Sequence, residues 1–247
     1  MKNIWTIARR EYNFYFSNPA AYIILFSMML ILGIYFYYFD LLGAFLQHYV
    51  PPIGRLLGLL ATLLMLATPA LTARLLAEEH RSGTIELLLT LPVRDSELVV
   101  GKWLGACLFM LTVVAMTLAF PFTLNLFVDP GIDLGPVLSG YLAVILLCFA
   151  LSAAGVAVSS LFTSQVAAFV TTSIFLVLVW WILGPVGQAA GEASSSALVI
   201  RYLDWGAHFY DNLLRGILDV PDILFYLSVT LFALVMATLA VEYRRAG

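Results

Sequence analysis

Residues 134 to 191 read LGPVLSGYLAVILLCFALSAAGVAVSSLFTSQVAAFVTTSIFLVLVWWILGPVGQAAG, without one acidic, basic or histidine side chain. A helix rises about 1.5 Å per residue and the hydrocarbon core of a bilayer is about 30 Å thick, so roughly 20 apolar residues cross once. This run is long enough to cross twice. Ser159, Ser160, Thr163, Ser164 and Gln165 interrupt it, a polar knot where a tight hairpin would meet the interface. Outward from it lie four more charge-free runs, Tyr12 to Phe39, Leu56 to Ala73, Trp103 to Val128 and Ile223 to Val241. The expectation is an all-α polytopic membrane protein, a single transmembrane domain with six helices at 20–39, 56–77, 103–128, 137–162, 165–187 and 223–242. Composition agrees: 62% of residues are apolar and 11% charged, where soluble domains have roughly half and about a quarter.

Lysine and arginine are retained on the cytoplasmic side of a membrane, whereas acidic residues carry little topological information. With the N-terminus inside, Lys2, Arg9, Arg10, Arg74, Arg81, Arg94, Lys102, Arg244 and Arg245 are cytoplasmic, and only Arg55, Arg201 and Arg215 lie outside. Nine of the twelve basic residues fit that topology, which places both termini in the cytoplasm. The apolar run after Pro19 is too long for a signal-peptide core and no A-x-A site follows it, so it reads as a retained first helix. Cys107 and Cys148 both fall within expected spans, which suggests neither a disulfide nor a thiolate metal site.

Residues 1–18 mix Ile4, Trp5, Ile7, Tyr12, Phe14 and Tyr15 with Lys2, Arg9, Arg10 and Glu11. This is the composition of a helix lying in the interface, rings at headgroup depth and basic side chains on anionic lipid. Asn18 and Pro19 turn the chain inward. The outer connections are small, Asp40 to Arg55, Asp129 to Pro136 and a longer one at 191–222. In the last, Trp205, Phe209, Tyr210, Leu213, Leu214, Ile217 and Leu218 alternate with charges, which predicts a short amphipathic helix on the outer surface.

One polar connection, residues 78–102, stands apart. It begins Glu78-Glu79-His80-Arg81-Ser82-Gly83-Thr84-Ile85-Glu86-Leu87-Leu88-Leu89-Thr90-Leu91-Pro92. Ser82 or Thr84 would cap a helix with Ile85, Leu88 and Leu89 on one face, and Pro92 stops it after about two turns. Asp95 would cap the next helix. So short an apolar face has no core of its own. Either it lies on the bilayer and the protein's own helix ends, or it docks into a groove of a soluble partner.

The pattern Glu78, Glu79, Ser82, Gly83, Thr84, Glu86, Leu87, Leu88, Pro92 and Val93, followed by Gly101 and Lys102, resembles the first cytoplasmic loop of type-2 ABC exporter permeases. Ala8, Arg9, Arg10 and Glu11, with Phe16, Asn18, Pro19 and Tyr22, resemble that family's N-terminal elbow helix. Phe209, Asn212, Arg215, Gly216, Ile217 and Asp219, then Phe225 to Ser228 and Glu242, Arg244 and Arg245, are similar to the branch holding gliding-motility and nitrous-oxide-reductase-maturation permeases. The resemblance implies a bacterial inner-membrane permease that pairs with a second copy and with two cytosolic ABC ATPases. It makes the loop helix a coupling helix, with Leu87, Leu88 and Leu91 as apolar anchors, Glu78, Glu79, Arg81 and Glu86 at the rim, and Gly83, Thr84 and Pro92 shaping it. It also allows an extracytoplasmic accessory protein, met by the outer loops. Substrate export, or mechanical transmission across the membrane, would be the output.

No G-x-x-x-x-G-K-[ST] occurs, so ATP and magnesium would sit on the partner and no cofactor is expected on this chain. The expected spans hold no ionisable residue near their middles, which weighs against the alternative of an ion-coupled secondary transporter. A structural membrane anchor is the third reading. G-x-S-x-G and H-E-x-x-H are both absent, and His48, His80 and His208 are scattered, so hydrolytic chemistry is not indicated, and no nucleic-acid partner is expected. Pro69, Pro121 and Pro185 fall inside spans and predict kinks. Met28 and Met29 read as apolar filling rather than as a copper site.

Overall fold

The computed structural model describes residues 2–47, 52–77, 94–127, 131–189 and 195–246. Among these there is no β-strand, and six helices are long and apolar enough to cross a membrane. Helix α1, Lys2–Ser17, precedes them. The six are α2 Pro19–Leu41, α3 Gly54–Ala77, α4 Asp95–Phe127, α5 Leu134–Leu161, α6 Gln165–Ala189 and, after two short helices, α9 Val220–Ala246. The whole expected loop helix, with Glu78, Glu79, Arg81, Gly83, Thr84, Glu86, Leu87, Leu88, Leu91 and Pro92, lies outside the described residues.

α5 is the axis of the bundle. Its residues alternate small with branched, and Gly140, Ala143, Ala150, Ala153 and Gly155 let neighbours approach closely. A Cβ on Gly140 would stand 2.5 Å from Leu57 Cδ1, and one on Gly155 would run into the Thr72 side chain. α3 therefore lies tight along α5, by the small-residue packing that membranes favour. α2, α6 and α9 form the outside and leave Ile23, Phe26, Val166, Ile174, Leu231 and Phe232 exposed. In water that girdle would be costly. In lipid it is the matching surface.

Polar backbone groups freed by proline are taken up locally. Pro121 has no N–H for the Thr117 carbonyl one turn earlier, α4 breaks at Leu118, and the Tyr141 hydroxyl donates to Thr117 O at 3.0 Å. Ahead of Pro185 the helix widens into a π turn over Leu178–Ile182. The 134–191 run does turn at its polar knot, with α5 ending at Leu161 and Ser164 capping α6. Ser159 and Ser160 are still helical and fully buried.

Two readings of the outer side are corrected. The sequence ended the first span at Phe39 and put Asp40 in the loop. Instead a π turn over Phe36–Leu41 carries the helix on to Gln47 and rotates Asp40 inward, where it is buried. The longest outer connection is not one surface helix. It forms α7 Ser195–Tyr202, α8 Trp205–Tyr210 and a 3-10 turn at Leu213–Arg215. Trp205, Phe209 and Leu213 are buried against the bundle, and the Tyr226 hydroxyl donates to Trp205 O at 2.8 Å. Those apolar residues gain more from the interhelical core than from the headgroup layer. Gly216, at φ 94°, makes the left-handed exit that a side chain would resist.

Candidate functional site

The end of the bundle that carries α1 also holds both roots of the 78–93 segment, at Ala77 and Arg94. α1 lies against the first turns of α4 because Gly101 and Gly105, one turn apart, leave a groove for it. A Cβ at Gly101 would be 2.8 Å from Ile7 Cβ, and one at Gly105 would be 2.5 Å from Glu11 Cβ and 3.2 Å from Ala8 O. The helix expected to lie in the interface is thus packed along one face against α4.

Of the three elbow residues singled out, the structure separates the roles. Arg9 is exposed. Arg10 reaches from the surface to Glu11 at 2.8 Å. Glu11 is buried and also meets Lys102 Nζ at 3.2 Å, with the Lys102 side chain almost sealed from solvent. Burial pushes the Glu11 carboxyl up, but the Lys102 ammonium and the Arg10 guanidinium outweigh it and hold the group below its ordinary value of 4.5. The sequence placed Lys102 only as a cytoplasmic cation and one member of a family pattern. The spacing Gly101-x-x-x-Gly105 was the available signal that a helix packs there.

α1 grips both roots. At the far side of the 78–93 segment the Asn3 amide donates to Glu97 Oε2 at 3.1 Å, and Glu97 accepts the Arg94 N–H at 3.3 Å, fixing the start of α4. At the near side the Tyr15 hydroxyl donates to Leu71 O at 2.8 Å, its ring stacked on Phe109 at 4.9 Å. Burial pushes the Tyr15 phenol up, so it stays a donor. The Arg74 guanidinium lies 4.5 Å from the Phe14 ring centroid and 4.3 Å from that of Tyr15.

A second device holds the end of α3. The Ser159 hydroxyl donates to Ala73 O at 3.0 Å and accepts the N–H groups of Leu76 and Ala77, each at 3.1 Å. Three backbone groups of one helix end thus depend on one buried hydroxyl of α5. At the same end Arg244 donates to Leu161 O at 2.6 Å, closing the last turn of α5 with a cation. Ser159→Ala is expected to cost about 1–2 kcal/mol locally, since two buried N–H groups lose their acceptor. Amide exchange at Leu76 and Ala77 should then speed by roughly tenfold or more; unchanged exchange would show that the cap is redundant.

The opposite end carries a different cluster. His208 Nδ1 lies 2.5 Å from Asp222 Oδ1, and Nε2 lies 2.9 Å from Tyr202 O. Asn212 donates to Asp222 Oδ2 at 2.9 Å, and Phe225 stacks on the imidazole at 4.0 Å. Tyr202 O can only accept, so Nε2 carries a proton. Burial pushes the Asp204 carboxyl up even though it caps α8 through Gly206 N. Among the described residues no group of acidic, histidine or cysteine side chains is arranged to hold a metal ion. The cluster ties α7, α8 and α9 together.

Six helices long and apolar enough to cross a membrane, with α1 bracing the roots of the long polar connection, define an all-α polytopic membrane protein. The model of the ABC-2 family transporter proteins matches residues 23–243, and the chain belongs to that family. No curated protein matches it. It is accordingly a permease subunit of an ABC transporter, a membrane component whose family implies an ABC ATPase as partner.

Proposed function

We propose that this permease receives ATP-driven movement through the 78–93 segment and passes it to the bundle by way of α1, with both termini in the cytoplasm of a bacterial cell. The supporting observation is that α1 is bonded to both roots of that segment, to Leu71 and Arg74 on one side and to Glu97 and Lys102 on the other. A push on the segment would thereby reach α3 and α4 together instead of flexing a loose connection. Leu87, Leu88 and Leu91 enter a groove of the ATPase, and ATP and magnesium stay on that chain. The basic residues support the orientation. Lys2, Arg9, Arg10, Arg74, Arg94, Lys102 and Arg244 belong to the end with α1, against Arg55, Arg201 and Arg215 at the other.

A second permease copy completes the machine, and the outer helices α7 and α8 offer a surface to an extracytoplasmic protein. The similarity of Phe209 to Asp219 to gliding-motility and nitrous-oxide-reductase-maturation permeases favours transmission to such a partner, alongside export. The test is co-purification with the partner ABC ATPase that the family implies. Leu88→Glu should lower the recovered ATPase by about tenfold or more, the equivalent of 1.4 kcal/mol, while the permease still inserts. Full recovery would remove the docking role.

A further inference from the structure

Between α1 and α4, on the side away from the Glu11–Lys102 pair, lies a groove of about 340 Å³ lined by Trp5, Arg9, Tyr12, Asn13, Leu108 and Thr112. We propose that it binds the headgroup of an anionic phospholipid, with an acyl chain running along α4. This goes beyond the coupling reading and rests on the reading of α1 as an interfacial helix, next to the candidate span that begins at Pro19.

The residues divide as such a ligand requires. Trp5, Arg9, Tyr12 and Asn13 repeat at helical spacing and share one face of α1. Arg9 has no carboxylate partner among the described residues, unlike its neighbour Arg10, which is drawn to Glu11. The Asn13 amide and the Trp5 indole N–H make no hydrogen bond among the described residues either, and Trp5 is 59% exposed. Three residues that carry N–H donors, Trp5, Arg9 and Asn13, therefore line one concavity with no acid in its lining, a composition that suits phosphate oxygens. The hydroxyls of Tyr12 and Thr112 close its end on each other at 3.1 Å.

Below the donors the groove becomes apolar. Leu108 forms the floor, Thr112 has its hydroxyl turned back to Leu108 O at 2.8 Å, and Met116 continues the same face of α4 with half its surface exposed. Guanidinium and indole at headgroup depth over an apolar stripe match a phospholipid in charge and in length. A soluble anion would have no use for the stripe.

The test is native mass spectrometry of the full chain in detergent, titrated with phosphatidylglycerol or phosphatidylcholine and without any ATPase. Wild type should hold phosphatidylglycerol at least fivefold more tightly than phosphatidylcholine. Arg9→Glu should remove that preference, while Arg9→Lys keeps it within about threefold. Arg9 is exposed, so both variants should melt like wild type, and quenching of Trp5 by brominated phosphatidylglycerol, read against Trp5→Phe, reports occupancy independently. Undiminished preference in Arg9→Glu, equal binding of the two lipids, or displacement by millimolar glycerol phosphate would each overturn the proposal, the last by assigning the groove to a free phosphate. Leu88→Glu should leave lipid binding intact, so failure here and failure of ATPase docking are read separately.

Discussion

Lys102→Met is expected to destabilise the folded permease by about 3 kcal/mol, the lower end of what removing one partner of a buried ion pair costs. The lower end applies because Arg10 still reaches Glu11 after the ammonium has gone. Methionine fills nearly the same volume, so the loss isolates charge from packing. In detergent the melting temperature should fall by roughly 6–12 °C at pH 7, at 2–4 °C per kcal/mol for a chain of this size. The double variant Glu11→Leu with Lys102→Met should recover most of that loss, because an apolar contact of similar shape often equals a buried ion pair.

The pH dependence has a definite sign. Glu11 is held below its ordinary value of 4.5 in the folded protein, so the folded state favours the ionised carboxyl. Its stabilisation is present above about pH 4.5 and is lost as pH falls below that value through the folded one. The gap in melting temperature between wild type and Lys102→Met should therefore narrow between pH 5 and pH 3. A single variant no less stable than the double, or a gap that widens in acid, would show that the pair does not anchor α1.

The six crossings were legible because the bilayer leaves a one-dimensional record, long runs without charge. The same record hid what happens at helix ends. Asp40 read as the start of a loop because charge ordinarily marks the membrane boundary, yet a π turn buries it, and no composition rule announces a π turn. Lys102 sat where a cytoplasmic cation was expected, and its burial depends on α1, far away in sequence, covering it. Ser159 belongs to a polar knot that reads in the sequence as hairpin material. Its hydroxyl instead serves the end of α3, a contact between residues more than eighty positions apart. Periodicity and composition describe an element and its solvent, whereas these three residues are defined by a third element packing on them.

Gly105→Leu should dislodge α1 altogether. A side chain there begins 2.5 Å from Glu11 Cβ and 3.2 Å from the Ala8 carbonyl oxygen, and the second of these is backbone, which no rotamer change can move aside. Overpacking of this kind costs about 1–3 kcal/mol where side chains can yield, and here the upper figure applies. The helix must lift off. With it would go the Asn3 bond to Glu97, the Tyr15 bond to Leu71 O and the cover over Lys102, so both roots of the 78–93 segment would loosen together. Gly33→Leu is the matched control, since a Cβ at Gly33 meets nothing within 4 Å, and it should stay within about 0.5 kcal/mol of wild type. Because Gly105 and Lys102 act on the same contact, adding Lys102→Met to Gly105→Leu should cost much less than the sum of the two alone. Full additivity would mean that the glycine groove and the ion pair hold α1 independently, and equal stability of the two glycine variants would mean that α1 does not sit in the groove.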